Sequence, residues 1–212
     1  MAPSTLNIAR TLSHSAANGP GERFVIWVQG CTLQCPGCWN PDTWSLRPRN
    51  EIAVADLAAE ILATVNIEGI TLTGGEPFQQ AGPLADLAEA VRAVGLSVFA
   101  FTGYELDELA LPDQQRLLRQ CDVVVCGRYV AEHRDVVTPW RGSTNQSIHF
   151  ISDRYDASAA ADSTCEVHIG LDGQVVFTGF PPSDLLSLAG VLNDDAAQDD
   201  DSEPPTVETG GR

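Results

Sequence analysis

Lysine is missing from this chain. Its 212 residues carry twelve basic side chains, and all twelve are arginine. A phosphate-cradling P-loop needs its lysine, a pyridoxal-phosphate enzyme needs one for its Schiff base, and so does an amine-dependent aldolase. Positive charge is scarce altogether, with 29 Asp and Glu against 12 Arg and a formal charge of −17. Nucleic-acid recognition starts from a basic patch that neutralises phosphates, so the balance argues against a nucleic-acid partner. Long apolar runs are lacking too, none approaching the roughly 20 residues of a membrane helix. Residues 1–30 show no basic stretch followed by an apolar one, the mark of a secretory leader. No membrane association and a cytoplasmic location are expected.

What remains is a globular composition. Hydrophobic residues make up 43%, and a chain of this length can bury a sizeable core as one domain. Six cysteines are present, three of them within residues 31–38. Such clustering is unlike a disulfide framework and points to metal binding or catalysis.

Residues 1–18 are small and polar, an expected N-terminal strand or arm, closed by the turn residues Gly19-Pro20-Gly21. Residues 24–28 are apolar without alternation, as in a strand buried on both faces of a parallel sheet. Val54, Leu57, Ile61, Leu62 and Val65 fall at helical spacing. Residues 70–73 read as a strand ending in Gly74-Gly75. Pro83 suits the first turn of a helix with Leu84, Leu87, Val91 and Val94 on one side. Residues 96–101 and 123–125 read as further strands, separated by a helix interrupted before Pro112, and residues 148–151 are another candidate. Strand starts near 70, 96 and 122 are about 26 residues apart, the length of a strand-helix unit, so the fold class is α/β. Residues 167–169 and 175–177 flank Asp172-Gly173, a hairpin signal. The core domain is therefore expected over residues 1–192. Residues 193–212 hold seven acids and one arginine, −6 of the total charge, and are expected to be a disordered acidic tail.

Cys31, Cys35 and Cys38 form C-x3-C-x2-C. Three thiolates on one loop can hold three corners of a cubane iron–sulfur cluster. Each iron needs one ligand beyond the bridging sulfides, so one iron stays open to a cofactor. A structural zinc site would need a fourth ligand, and Cys121, Cys126, Cys165 and the four histidines sit at no paired spacing. Buried free thiols are the remaining alternative, and the expected state of Cys121, Cys126 and Cys165.

The run Cys31-Thr32-Leu33-Gln34-Cys35-Pro36-Gly37-Cys38 resembles the signature of the radical S-adenosylmethionine enzymes. Its surroundings, Gly19-Pro20-Gly21-Glu22-Arg23-Phe24, Gln29-Gly30-Cys31 and Cys38-Trp39-Asn40-Pro41, resemble the activating enzymes of anaerobic (class III) ribonucleotide reductase. Thr73-Gly74-Gly75-Glu76-Pro77-Phe78 is similar to the glycine-rich element that holds the cofactor's amino group in that superfamily. Residues 122–127 and Arg141-Gly142-Ser143-Thr144-Asn145-Gln146 are similar to later blocks of the same group. The resemblance spans roughly residues 5–180. Two departures stand out: Gly37 replaces an aromatic common before the third cysteine, and Trp39 replaces the histidine of a His-Asn pair.

The resemblance implies a partial (βα) barrel of the radical S-adenosylmethionine kind, with about five to six parallel strands, the C-terminal hairpin and the tail. It implies one 4Fe–4S cluster on Cys31, Cys35 and Cys38, and S-adenosylmethionine on its open iron. Gly37, Trp39, Asn40, Gly74, Gly75, Glu76, Pro77 and Thr102 are the implied cofactor-binding residues, with Arg23, Tyr104, Arg141 and Asn145 as further candidates. The implied reaction is reductive cleavage of S-adenosylmethionine to a 5′-deoxyadenosyl radical, which takes hydrogen from a glycine α-carbon of a partner glycyl radical enzyme. An external electron donor such as flavodoxin or ferredoxin is implied as well. Little chain is left to build a lid, which suits a protein substrate that covers the site itself. Action on a small molecule or peptide is the alternative; a plain iron–sulfur electron carrier would need neither an open iron nor Gly-Gly-Glu-Pro.

Overall fold

The computed structural model describes residues 4–135, 137–160, 165–169 and 175–179. The acidic segment 193–212 and the Asp172-Gly173 turn lie outside them. The described residues belong to one compact unit, Met1–Phe180.

Its frame is a seven-stranded mixed sheet. In chain order the strands are β1 (Thr5–Ser15), β2 (Arg23–Val28), β3 (Glu51–Ala53), β4 (Gly69–Gly74), β5 (Ser97–Thr102), β6 (Val123–Cys126) and β7 (Ser147–Phe150), arranged β3-β1-β2-β4-β5-β6-β7. β2, β4, β5 and β6 run parallel. β1 and β3 add antiparallel strands at one edge and β7 at the other. Four parallel strands thus replace the five to six expected, and the strand near residue 148 runs antiparallel. Only 20 residues separate Cys126 from Ser147; the described ones among them form loops and a short 3-10 turn over Ala131–His133, with no crossover helix among them to bring the chain back parallel.

Three helices join the parallel strands: α1 (Val54–Ala63), α2 (Ala81–Arg92) and α3 (Pro112–Gln120). In α1, Val54, Leu57, Ala58 and Ile61 are buried at helical spacing, whereas Leu62 is half exposed and Val65 lies past the helix end. α2 buries Leu84, Leu87 and Val91. Val94 falls outside it and is 59% exposed, because the chain turns through Gly95 at φ +88° and the helix stops. Pro112 opens α3 at its first turn, where no hydrogen bond is lost.

Alternation along each strand separates two environments. Phe24, Ile26, Val28, Ile70, Leu72, Val98, Ala100 and Val124 point to the helices and form the main core. Phe99, Val123 and Val125 point to the opposite face and pack with Trp140. Burial on both sides explains why residues 24–28 read as unbroken apolar sequence. The hairpin forms as read, β8 (Cys165–Ile169) pairing antiparallel with β9 (Val175–Gly179).

Candidate functional site

The cysteine loop leaves the carboxyl end of β2, the side of a parallel sheet where ligand sites gather. Backbone hydrogen bonds hold its base: Gly30 N–H to Thr43 C=O at 2.7 Å and Cys31 N–H to Trp44 C=O at 3.1 Å. Two sharp turns shape it, at Gln34 (φ +46°) and Gly37 (φ +74°). All three cysteines are free thiols and only half buried. Burial raises the pKa of Cys31 and of Cys35. The Asn40 N–H donates to Cys38 Sγ at 3.5 Å, and Asn40 Oδ1 accepts from Arg10 at 2.8 Å.

The Gly74-Gly75-Glu76 turn is fastened to this loop. Gly75 N–H donates to Val28 C=O at 2.8 Å, and Glu76 N–H to Gly30 C=O at 2.9 Å. A Cβ on Gly74, at φ +96°, would lie 2.6 Å from Trp27 Cα, and one on Gly75 would lie 2.3 Å from Gly30 O. Both glycines are therefore required by the approach of β2 and the cysteine loop. Glu76 is 1% exposed. Its carboxylate accepts from Phe78 N–H, Thr102 Oγ1–H and Gly103 N–H at 2.8–2.9 Å. Burial nonetheless pushes its pKa up to about 7. Pro77 starts the 3-10 turn that Glu76 caps.

Two joined cavities open here. The smaller is lined by Cys31, Cys35, Cys38, Gly74, Gly75, Glu76 and Thr102. The larger is lined by Cys38, Trp39, Asn40, Thr73 and, from β9, Phe177 and Thr178. Phe101, Tyr129 and Gln146 line both. The hairpin thus forms part of one wall, where the sequence suggested an uncovered mouth. Trp39 stands edge-on to Tyr129 with ring centroids 6.5 Å apart, and Arg134 lies 4.7 Å from its centroid.

Other sequence candidates lie outside these cavities. Arg23 sits at the amino end of β2, away from the cysteine loop, and is wholly buried. Its guanidinium donates to Thr71 Oγ1, Pro20 C=O, Ile70 C=O and Ser97. Burial lowers its pKa to about 10. A further candidate for the cofactor in the sequence, it instead closes the far end of the sheet, where Gly19 and Gly69 make room for it. Arg141 binds Asp135 and Thr138, and Asn145 donates to the Arg128 carbonyl, so both order the loops after β6. Tyr104 accepts from Gln79 at 3.0 Å. Gly37 is exposed, and a Cβ there would lie 2.9 Å from Ala131. Cys121 and Cys126 are buried as expected, whereas Cys165 is half buried.

Among the residues not singled out in the sequence are Gln79, Gln146, Tyr129 and Trp44. Gln79 donates to Thr32 Oγ1 and receives the Thr32 N–H, pinning the cysteine loop to the turn after β4. Gln146 accepts from Gly142 and Ser143 and donates to the Gly127 carbonyl. Tyr129 and Trp44 line the smaller cavity together with Gln146. None belongs to a spacing pattern; the signals were the Gln-Gln pair after Gly-Gly-Glu-Pro-Phe for Gln79 and the block at residues 141–146 for Gln146.

The donor set fits an iron–sulfur cluster better than a single ion. Among the described residues no group of three or more His, Cys, Asp and Glu could hold one metal ion. A cube does not ask three thiolates to meet at one point, because each caps its own iron.

A family model described as "4Fe-4S single cluster domain" matches residues 17–149. Among curated proteins the chain is similar to the anaerobic ribonucleoside-triphosphate reductase-activating protein of Salmonella typhi, 34% identical over 143 residues, 63% of this chain and 92% of that one. The protein of the same name from Escherichia coli (strain K12) is 35% identical over 142 residues, with the same shares covered. That of Enterobacteria phage T4 is 31% identical over 150 residues, 68% of this chain and 93% of its own.

Proposed function

The chain belongs to the family of anaerobic ribonucleoside-triphosphate reductase-activating proteins, and from that premise we propose that it is a radical S-adenosylmethionine activase that generates a glycyl radical on an anaerobic ribonucleotide reductase. The observation that carries this is the fastening of two motifs into one site. Three free thiols on the loop after β2 face a cavity whose other wall is Gly74-Gly75-Glu76, and Gly30 is hydrogen bonded to Glu76 between them.

In this reading Cys31, Cys35 and Cys38 hold a 4Fe–4S cluster. When bound, that cluster supplies one electron to the sulfonium of S-adenosylmethionine, whose cleavage provides the hydrogen-abstracting power. The chain's residues hold and shield. The backbone of Gly74 and Gly75 faces the methionyl end, and Glu76 keeps that backbone in place through Thr102 and Gly103. Trp39 and Tyr129, set edge to face, offer an aromatic wall against which an adenine would pack, standing in for the aromatic that Gly37 lacks. The larger cavity, beyond Cys38, receives the partner's glycine segment. The four parallel strands with their flanking antiparallel strands read as an open partial barrel within a core of residues 1–192. A low-potential flavoprotein or ferredoxin would supply the electron. No helix among the described residues is long and apolar enough to cross a membrane, and a cytoplasmic site of action fits the free thiols.

The test is anaerobic reconstitution with iron and sulfide, then reduction with S-adenosylmethionine present. Release of 5′-deoxyadenosine and, with the cognate reductase added, a glycine-centred electron paramagnetic resonance signal are expected. Release without that signal would move the substrate to a small molecule or peptide; no release would overturn the enzyme reading.

A further inference from the structure

Trp44 ends the short 3-10 turn Pro41–Thr43 that follows the third cysteine. Its backbone is bound to the cysteine loop, the carbonyl accepting the Cys31 N–H at 3.1 Å. The residue lines the smaller cavity together with Cys31, Cys35 and Cys38. Its indole Nε1–H is buried and has no hydrogen-bond partner. A buried donor without an acceptor is unfavourable and calls for an explanation, an unseen bound group among them. The carboxylate of Glu76, on the same wall, already accepts from Phe78, Thr102 and Gly103. The acceptors that a thiolate-held cluster would bring into this cavity are sulfurs.

Resting on the reading above, we propose that Trp44 tunes the cluster: its indole N–H donates to a cluster or cysteinyl sulfur and thereby raises the reduction potential. The physical reason is charge. Reduction adds an electron that spreads over the sulfurs, and a hydrogen bond donated to one of them stabilises the reduced form more than the oxidised form. Trp44 is then a positioning and tuning residue, distinct from the three ligands.

The test compares reconstituted wild-type protein with Trp44→Phe in a redox titration without S-adenosylmethionine. Iron content should be the same. The reduction equilibrium of the variant should be about tenfold less favourable, a shift of about 59 mV to more negative potential for one electron. An unchanged potential overturns the proposal. So does an unchanged potential accompanied by weaker S-adenosylmethionine binding, which would give the indole to the cofactor instead. Should Trp44→Phe fail to load iron, the 15N-labelled wild-type protein decides. Its Trp44 indole signal, assigned by its absence from the apo variant, should shift or broaden strongly on reconstitution, and an unmoved signal overturns the proposal. Wild-type protein that binds no iron would overturn the functional reading itself, an outcome separate from an unchanged potential.

Discussion

Thr102 and Glu76 are 26 residues apart, yet the Thr102 hydroxyl donates to Glu76 Oε1 at 2.8 Å. That bond ties the carboxyl end of β5 to the turn after β4, and the same turn is tied to the cysteine loop through Gly30. Three segments that build one cavity are thus joined through a single buried carboxylate and its own backbone N–H.

Because burial raises Glu76 to about 7 from an ordinary value of 4.5, stability should depend on pH with a definite sign. Below the unfolded value both states hold the proton and nothing changes. Between about pH 4.5 and 7 the unfolded chain releases a proton that the folded one retains, so stability falls as pH rises. The loss is on the order of 3 kcal/mol and levels off above pH 7. Urea unfolding of the apoprotein across this range should show the slope, and Glu76→Gln should remove that part of it.

Two glycines with positive φ should respond very differently to alanine. Gly95 has φ +88° but nothing within 4 Å of an added Cβ, so Gly95→Ala meets backbone strain alone, about 1 kcal/mol. Gly74→Ala adds a clash with Trp27 Cα at 2.6 Å and should cost about 3 kcal/mol or more. Denaturant titration of both variants checks the contrast, and iron loading should fall only for Gly74→Ala.

Arg23→Met should destabilise without touching the site. It strands acceptors on Thr71, Pro20, Ile70 and Ser97 in the interior, a loss of about 3 kcal/mol or more. S-adenosylmethionine affinity of the reconstituted, folded variant should match wild type in calorimetry. Weakened affinity with unchanged stability would return Arg23 to the cofactor.

Each of Cys31→Ala, Cys35→Ala and Cys38→Ala should abolish stable iron loading. Cys121→Ala should load normally and lose about 1 kcal/mol, since its thiol is buried and donates only to the Leu117 carbonyl at 3.4 Å. Iron analysis and the visible absorption of the cluster distinguish the two classes.

The local signals carried far. C-x3-C-x2-C needs only chain proximity to put three thiols on one loop, and Gly-Gly after an apolar run marks a strand end because no other residue fits so close to a neighbouring backbone. The continuous apolar run at residues 24–28 identified a parallel strand, since a strand covered on both faces has no polar side to show. The direction of residues 147–150 was not legible, because a strand's own sequence does not say which way its partner runs.

What the sequence by itself determined was the chemical inventory: three thiols on one loop, no lysine amine, an α/β frame with strand-helix units. What only the tertiary structure decided was which polar residues serve that chemistry and which serve the fold. Arg23 and Glu76 both stand in motifs and both are buried. One closes the end of the sheet far from the cysteines, and the other holds the turn beside them. Gln79, Tyr129 and Gln146 follow no spacing, and come beside the cysteine loop because strands distant in sequence end side by side. Spacing along a chain fixes neighbours within a loop or helix face. Contacts across a sheet depend on strand order and register, which are set by the packing of the whole core.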